Sequence, residues 1–342
     1  MADTILYDSA MRLFAAEVSP AVVQDVEQGL WPDALWQAVE EAGYLDVLVD
    51  GPANMPGNMV EAATILRAAG HHAAPIPLVE TMLARFLCAA AQLPAPAGVL
   101  TIAPVEPGER LAIGGGAVSG RAGHVPWGLV AEAIVVVGER EVALVSGGAL
   151  SWDASDNLAY ESRDHMSAAG ARGDIRPLPD GIDAALVLRL GALMRAAQMA
   201  GAMEAALAIT TQYANERVQF GRAIGKFQAI QQQMAVLAEH ASSSWVAVEN
   251  AARAVAEGRQ SAEFACAAAK IRAGEAAGKV AEIAHQVHGA IGFTQEYRLH
   301  PVTRRLWSWR DEFGNEAYWA RELGRRIAKA GGDGLWALIT TP

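Results

Sequence analysis

Cysteine is nearly absent: Cys88 and Cys266 are the only two in 342 residues. Two thiols can build neither a disulfide framework nor a four-cysteine zinc site, and they suit a reducing compartment. Basic residues are also few, 27 Lys and Arg against 38 Asp and Glu, for a net charge of −11 and a pI near 5.2. That balance excludes nucleic acid as the main partner, because neutralising a phosphate backbone takes clustered cations. A small polyanion needs only a few placed cations and is not excluded. Mean hydropathy is slightly positive at +0.15, a value raised by alanine and glycine. No uncharged apolar stretch reaches the ~18 residues that mark a membrane span. The opening Met1-Ala2-Asp3-Thr4 has neither a basic region nor a long apolar one. This predicts no secretory leader and a cytoplasmic protein. Apolar material, in contrast, is plentiful. With 52% apolar and 19% charged residues, the chain has enough core for roughly two to three folding units, and wholesale disorder is excluded.

The texture changes twice along the chain. Residues 1–94 read as helix pairs. Trp31-Pro32-Asp33 has the form of a helix start, with a proline early and an acid in the first turn, and Gly43 that of a stop. A short helix over Val60–Ala69 is expected to end at Gly70. Pro75-Ile76-Pro77 breaks the chain before another helix, Val79–Ala91. From 95 to 180, Gly and Pro become frequent and short β-branched runs appear. Ile134–Val137 and Val142–Val145 flank Gly138-Glu139-Arg140-Glu141 as a hairpin, and Leu100–Ile102 and Leu111–Ile113 read as further strands. The triplet Gly114-Gly115-Gly116 reads as a turn. From 181 to 330, helical spacing takes over: Phe227, Ile230, Met234 and Leu237 recur at 3-4-3, and Val280, Ile283 and Val287 continue the style. Alanine-rich Glu263–Val287 permits close helix–helix approach. Residues 331–342 read as a tail. The fold class expected is mainly α with a small β domain between an N-terminal helical domain and a C-terminal four-helix-bundle-like domain.

Three segments could carry chemistry. In Glu216–Gln228 a helix ends near Arg217, Gly221 and Gly225 permit a tight connection, and a new helix begins near Phe227. The turn gathers Arg217, Arg222 and Lys226 beside free backbone N–H groups, which suits a pyrophosphate. The plainer reading is a helix connection with solvated charges. In His285–Tyr297 a helix C-terminus runs into a Gly-x-x-Gly loop, with Gln286 one turn before Gly289. Glycines there let a ligand approach the backbone. The plainer reading is a helix stop. His285 and His288 have a spacing that zinc can use, as do neighbouring His71 and His72, but no third ligand accompanies either pair, so no metal is expected. In Arg304–Glu316, Trp307, Trp309 and Phe313 surround acids. A carboxylate dehydrated by aromatics has its pKa raised toward that of a general base. The plainer reading is a surface ion-pair network of Arg305 and Arg310 with Asp311 and Glu312.

Together the three segments resemble the acyl-CoA dehydrogenase family. Arg217-Val218-Gln219-Phe220-Gly221 through Phe227-Gln228 is similar to its flavin-contacting signature. Gln286, Gly289 and Gly292-Phe293 are similar to its Gln-x-x-Gly-Gly-x-Gly-Tyr/Phe segment, with Ala290 at the second glycine. Glu312-Phe313-Gly314 falls where the family carries a Glu-Gly-Thr catalytic loop. The order of domains agrees too. The resemblance implies an FAD oxidoreductase that desaturates an acyl-CoA to the 2-enoyl-CoA, hands electrons to an electron-transferring flavoprotein, and works as a homo- or hetero-oligomer. Arg217, Gln219, Phe220, Gln286 and Gly289 would contact FAD across subunits, and Glu312 would be the base. Four positions depart from the pattern. Leu100–Pro107 and His124–Trp127 stand where the family has its Thr-Glu-Pro and Trp-x-Ser/Thr segments. Phe313, not Glu312, takes the catalytic Glu position, and the alternative base position holds Gly274 beside Glu275. This pattern resembles short bacterial members that pair with a fuller subunit, including those acting on sterol side-chain thioesters. The alternative function is therefore a flavin-binding or structural partner subunit without its own base.

Overall fold

The computed structural model of the chain describes residues 2–49, 51 and 55–340. The N-terminal part holds α1 (Ala2–Glu17), α2 (Pro20–Glu27), α3 (Asp33–Glu41), α4 (Met59–His71) and α5 (Leu78–Ala90). Helix α3 starts where the proline–acid pair places it, and Gly43 follows it in the left-handed region at φ 71°. Gly70 does not stop α4; it lies inside the helix and is fully packed. A Cβ there would fall 1.9 Å from the Gln198 carbonyl oxygen, so this glycine serves a close helix crossing.

The β part holds β1 (Leu100–Ala103), β2 (Ala112–Gly114), β3 (Ala117–Pro126), β4 (Ala133–Val137), β5 (Glu141–Ser146), β6 (Ser151–Asp153), β7 (Arg163–Arg172) and β8 (Asp174–Pro177). They form two four-stranded sheets, ordered β1-β4-β5-β8 and β2-β3-β7-β6. The β4–β5 hairpin pairs Val137 with Val142, and every residue of β4 is buried, which explains its unbroken apolar run. Strands β3 and β7 carry no such run. Their pairing is interrupted by register shifts at Val118/Ser119 and Ala122/Val125, so strict alternation is lost.

The bundle holds α6 (Ala184–Glu216), α7 (Gln228–Ala256), α8 (Ala262–His288), α9 (Leu299–Asp311), α10 (Glu316–Ala330) and α11 (Gly332–Thr340). Asp183 opens α6 by accepting from the Leu186 N–H at 2.8 Å. From Leu190 to Met203 the helix is buried on every side, packed between α4, α7, α8 and α9. An all-round apolar helix has no polar face to give it periodicity. The segment expected to be a tail forms α11. No helix of the described residues is long and apolar enough to cross a membrane.

Candidate functional site

Two of the three segments meet at one end of the bundle. The last turns of α6 and α8 lie side by side, with the Tyr213 ring stacked on His288 at 4.4 Å and Tyr213 Oη donating to the His288 carbonyl at 3.4 Å. Beyond α6, Val218–Gln219 and Arg222–Ala223 form a two-stranded hairpin, β9 and β10. Phe220 sits at its tip with φ 51° and is 92% exposed. With the Gln219 amide oxygen turned toward Arg217, it accepts from Nη2 at 2.8 Å and Nε at 3.2 Å. The Arg222 guanidinium lies over the Phe227 ring at 4.2 Å. Among the described residues, none of Arg217, Arg222 and Lys226 has a carboxylate partner. Gln286 and Gly289 are exposed at the end of α8. Gly289 has φ 64° and nothing within 4 Å of where a Cβ would be.

His285 and His288 are buried instead. His285 Nε2 pairs with Thr303 Oγ1 at 2.9 Å, and His288 Nδ1 donates to the Ala284 carbonyl at 2.7 Å. Burial keeps both imidazoles below their ordinary pKa. Among the described residues no group of three His, Cys, Asp or Glu side chains could hold a metal ion.

The third segment lies at the far end of α9, about 18 Å along that helix. Glu312 follows the last residue of α9 and points inward. Arg163 Nε donates to its Oε1 at 2.8 Å, Arg195 Nη2 lies 2.8 Å from its Oε2, and Asn157 Nδ2 donates to Oε1 at 3.2 Å. The chain of charges continues both ways. Arg195 also pairs with Glu80, Arg163 with Glu161 at 3.1 Å, and Glu161 with Arg305 at 2.9 Å. Trp309 Nε1 donates to Glu161 at 3.0 Å. Three carboxylates and three guanidiniums thus alternate across the junction of α5, the β part, α6 and α9.

The expectation of a raised pKa at Glu312 is therefore corrected. Burial alone would lift it, but Arg163 and Arg195 outweigh burial and hold the carboxyl below its usual range. A network does exist, but it is buried and joins partners distant in sequence. Arg310 pairs instead with Glu316, which opens α10 as an acid in the first turn. Glu275 is largely exposed, 4.0 Å from Arg272.

Phe313, one residue on, has φ 54° and is buried; its ring fills the place a Cβ of Gly191 would take, 2.4 Å away. Beside it opens a cleft of about 400 Å³, lined by Glu106, Glu109, Arg110, Glu139, Val187 and Tyr318 among others. Sequence reasoning missed Glu80, Arg163, Arg195 and Lys270. The available signal was the isolation of a charge inside an alanine-rich run, as in Leu193-Met194-Arg195-Ala196-Ala197 and Ala267-Ala268-Ala269-Lys270, where a lone charge that must be buried needs a distant partner.

Residues 180–328 match the C-terminal domain of acyl-CoA dehydrogenases. Acyl-CoA dehydrogenase FadE27 of Mycobacterium tuberculosis is 31% identical over 330 residues, covering 86% of this chain and 88% of that protein. The chain belongs to the acyl-CoA dehydrogenase family. Solved structures share its fold. A chain of the ChsE4-ChsE5 complex from Mycobacterium tuberculosis superposes with a TM-score of 0.83 and 26% identity, covering 97% of this chain and 98% of that one. A chain of the Tcur3481-Tcur3483 steroid ACAD, G363A variant, does so with a TM-score of 0.84 and 24% identity, covering 96% and 98%. Acyl-CoA dehydrogenases are FAD oxidoreductases, so FAD is the cofactor to which the site must answer. The outward end of this acyl-CoA dehydrogenase bundle fits such a group: it offers unpaired cations, an exposed aromatic ring and an open glycine. In the interior, Glu312 is paired with Arg163 and Arg195.

Proposed function

We propose that this chain serves the FAD-dependent conversion of an acyl-CoA thioester to its 2-enoyl-CoA as the subunit that completes a flavin site seated mainly on another chain, with the base supplied by that partner. The observation that carries this reading is the fate of the base position. Glu312 is clamped by two guanidiniums, and Phe313 packs into the space over Gly191. A general base must reach the α-proton and carry a pKa near the working pH; Glu312 meets neither condition. The cleft beside Phe313 adds support. Its polar lining has three glutamates against one arginine, and Arg110 is already paired with Glu139. That charge disfavours the polyanionic CoA moiety.

FAD, when bound, takes up the hydride lost from the thioester's β-carbon. The work of this chain's residues is binding and orientation. Arg217, held in line by Gln219, presents its guanidinium outward as a charge-assisted donor for a pyrophosphate or flavin oxygen. Phe220 offers an apolar face for a ring, and Gln286 offers an amide beside Gly289, where a ligand can approach the backbone. Likeness to a steroid ACAD and to the ChsE4-ChsE5 complex supports a thioester with a steroid-derived acyl group and a heteromeric assembly. The family resemblance supports an electron-transferring flavoprotein as acceptor.

The test is to purify the chain alone and with the partner that co-purifies from its host, then record the flavin spectrum and acyl-CoA oxidation with a dye acceptor. The expected result is flavin and turnover only with the partner. Stoichiometric FAD and turnover by the chain alone, lost by ~10²–10⁴ in Glu312→Gln with FAD still bound, would restore Glu312 as the base.

A further inference from the structure

Lys270, on α8, is fully buried. Its Nζ donates to three main-chain carbonyls, those of Arg310 at 2.6 Å, Gly314 at 2.8 Å and Trp309 at 3.4 Å. An ammonium has three donors and no acceptor, so convergence of three carbonyls is matched to the charged form. A neutral amine would turn a lone pair toward one of them. The Trp309 and Arg310 carbonyls belong to the end of α9, where no further helical N–H can satisfy them. The Gly314 carbonyl belongs to the turn before α10. Between these anchor points lie Glu312 and Phe313, the latter in the left-handed region that a side chain disfavours. The other side of the turn is held by Trp319, whose Nε1 donates to the Phe313 carbonyl at 3.0 Å.

We propose that Lys270 is the positioning residue of this turn: by tying the last carbonyls of α9 to that of Gly314, it holds Glu312 between Arg163 and Arg195 and Phe313 against Gly191. The proposal deepens the subunit reading, which gives the closed turn its meaning. Its test uses neither flavin nor turnover, so either idea can fail without the other.

The groups facing the ammonium are Glu312, Asp311 and Glu316 from the α9–α10 connection and Arg195 from α6. Burial outweighs the three acids, and Arg195 adds to it, bringing the amine down to about 7. The tether is thus complete below that pH and loses its charge above it.

The chain has only four lysines, and the other three, Lys226, Lys279 and Lys329, are exposed. The experiment follows the Lys270 ¹³Cε signal and the Trp319 indole N–H signal by NMR in the full chain, within its complex if it has one, from pH 6 to 10. Arg replacements of the three exposed lysines assign the first signal, and Trp319→Phe assigns the second. The expected result is that both titrate together near pH 7. In Lys270→Met the indole signal moves toward the position of an exposed tryptophan and no longer responds to pH over that range. A Trp319 signal that stays fixed while Lys270 titrates overturns the proposal. So does a folded Lys270→Met whose Trp319 signal is that of wild type. Should Lys270→Met fail to fold, the wild-type titration still decides.

Discussion

Glu312 illustrates how a single carboxylate is assigned its work by its neighbours. Aromatic rings around it favour a neutral acid, but two guanidiniums at 2.8 Å favour the charge, and at that distance the charges win. Removing the charge leaves Arg163 and Arg195 buried and undercompensated. Breaking a buried pair by deleting one partner typically costs about 3–5 kcal/mol, so Glu312→Gln is expected to lower stability by that order in urea unfolding. Turnover per folded complex should stay near wild type. Because the folded carboxyl is held low, its contribution is present above the ordinary carboxylate range. It is lost as pH falls through the lowered value, which acid titration of unfolding will show. At the other end of the bundle, Arg217 and Arg222 differ in engagement. Arg222 is already spent on the Phe227 ring, whereas Arg217 is aligned by Gln219. Arg217→Ala should therefore weaken FAD retention in the partnered complex more than Arg222→Ala. A charge-assisted hydrogen bond of roughly 1.5–3 kcal/mol corresponds to about a tenfold to hundredfold change, read by flavin release on dialysis.

Helix α6 is central to the arrangement, since Arg195, Gly191 and Arg217 all stand on it or at its end. Its contact with α4 is made by glycines. A Cβ on Gly201 would fall 1.8 Å from the Arg67 carbonyl oxygen, and one on Gly70 would fall 1.9 Å from that of Gln198. The two backbones therefore touch. Arg67 then reaches across to Glu204 at 2.7 Å and lies between the Tyr7 and Trp245 rings. Gly201→Ala is expected to force the helices apart and destabilise by about 1–3 kcal/mol. Gly324, on exposed α10, has open space around its missing Cβ. Gly324→Ala should be neutral or stabilise by up to ~1 kcal/mol, through helix propensity alone. Paired thermal melts of the two variants test whether α6 is held by contact or by propensity.

Across the whole molecule, burial acts on the histidines in one direction. His71, His72, His240, His285 and His288 all lie below the ordinary imidazole pKa, His72 at about 4, chiefly because burial disfavours the charged ring. The unfolded chain takes up protons below about pH 6.5 that the folded chain refuses. The histidines' contribution to stability should thus be full above that pH and decline between about 6.5 and 4. Denaturant midpoints at pH 7.5 and 5 will check the sign. The surface also carries Val218, Phe220, Ile291 and Phe293, exposed just beyond the ends of α6 and α8. Apolar side chains grouped in this way favour association. Light scattering of the assembled protein should give a mass above the 36.0 kDa of one chain.

Much of the helical frame was legible in the sequence because helix starts, the β4–β5 hairpin and the α6–α7 connection are set by neighbours in the chain. Pro32-Asp33, the valine runs and Gly221 act through local dihedrals and patterning. The resemblance carried by Arg217–Gln228 and Gln286–Phe293 was legible for the same reason: both are continuous segments. Strands β3 and β7 were not, since their bulged, glycine-containing pairing is settled by partners about 45 residues apart. Nor was the continuation of α4 through Gly70, which depends on the approach of Gln198. The base position shows the division most clearly. The sequence alone placed Glu312 and Phe313 in an aromatic segment. Only the tertiary structure brought Glu80, Arg163, Arg195 and Lys270 to them, and Coulomb energy in a dry interior depends on distance in space, which sequence spacing does not encode.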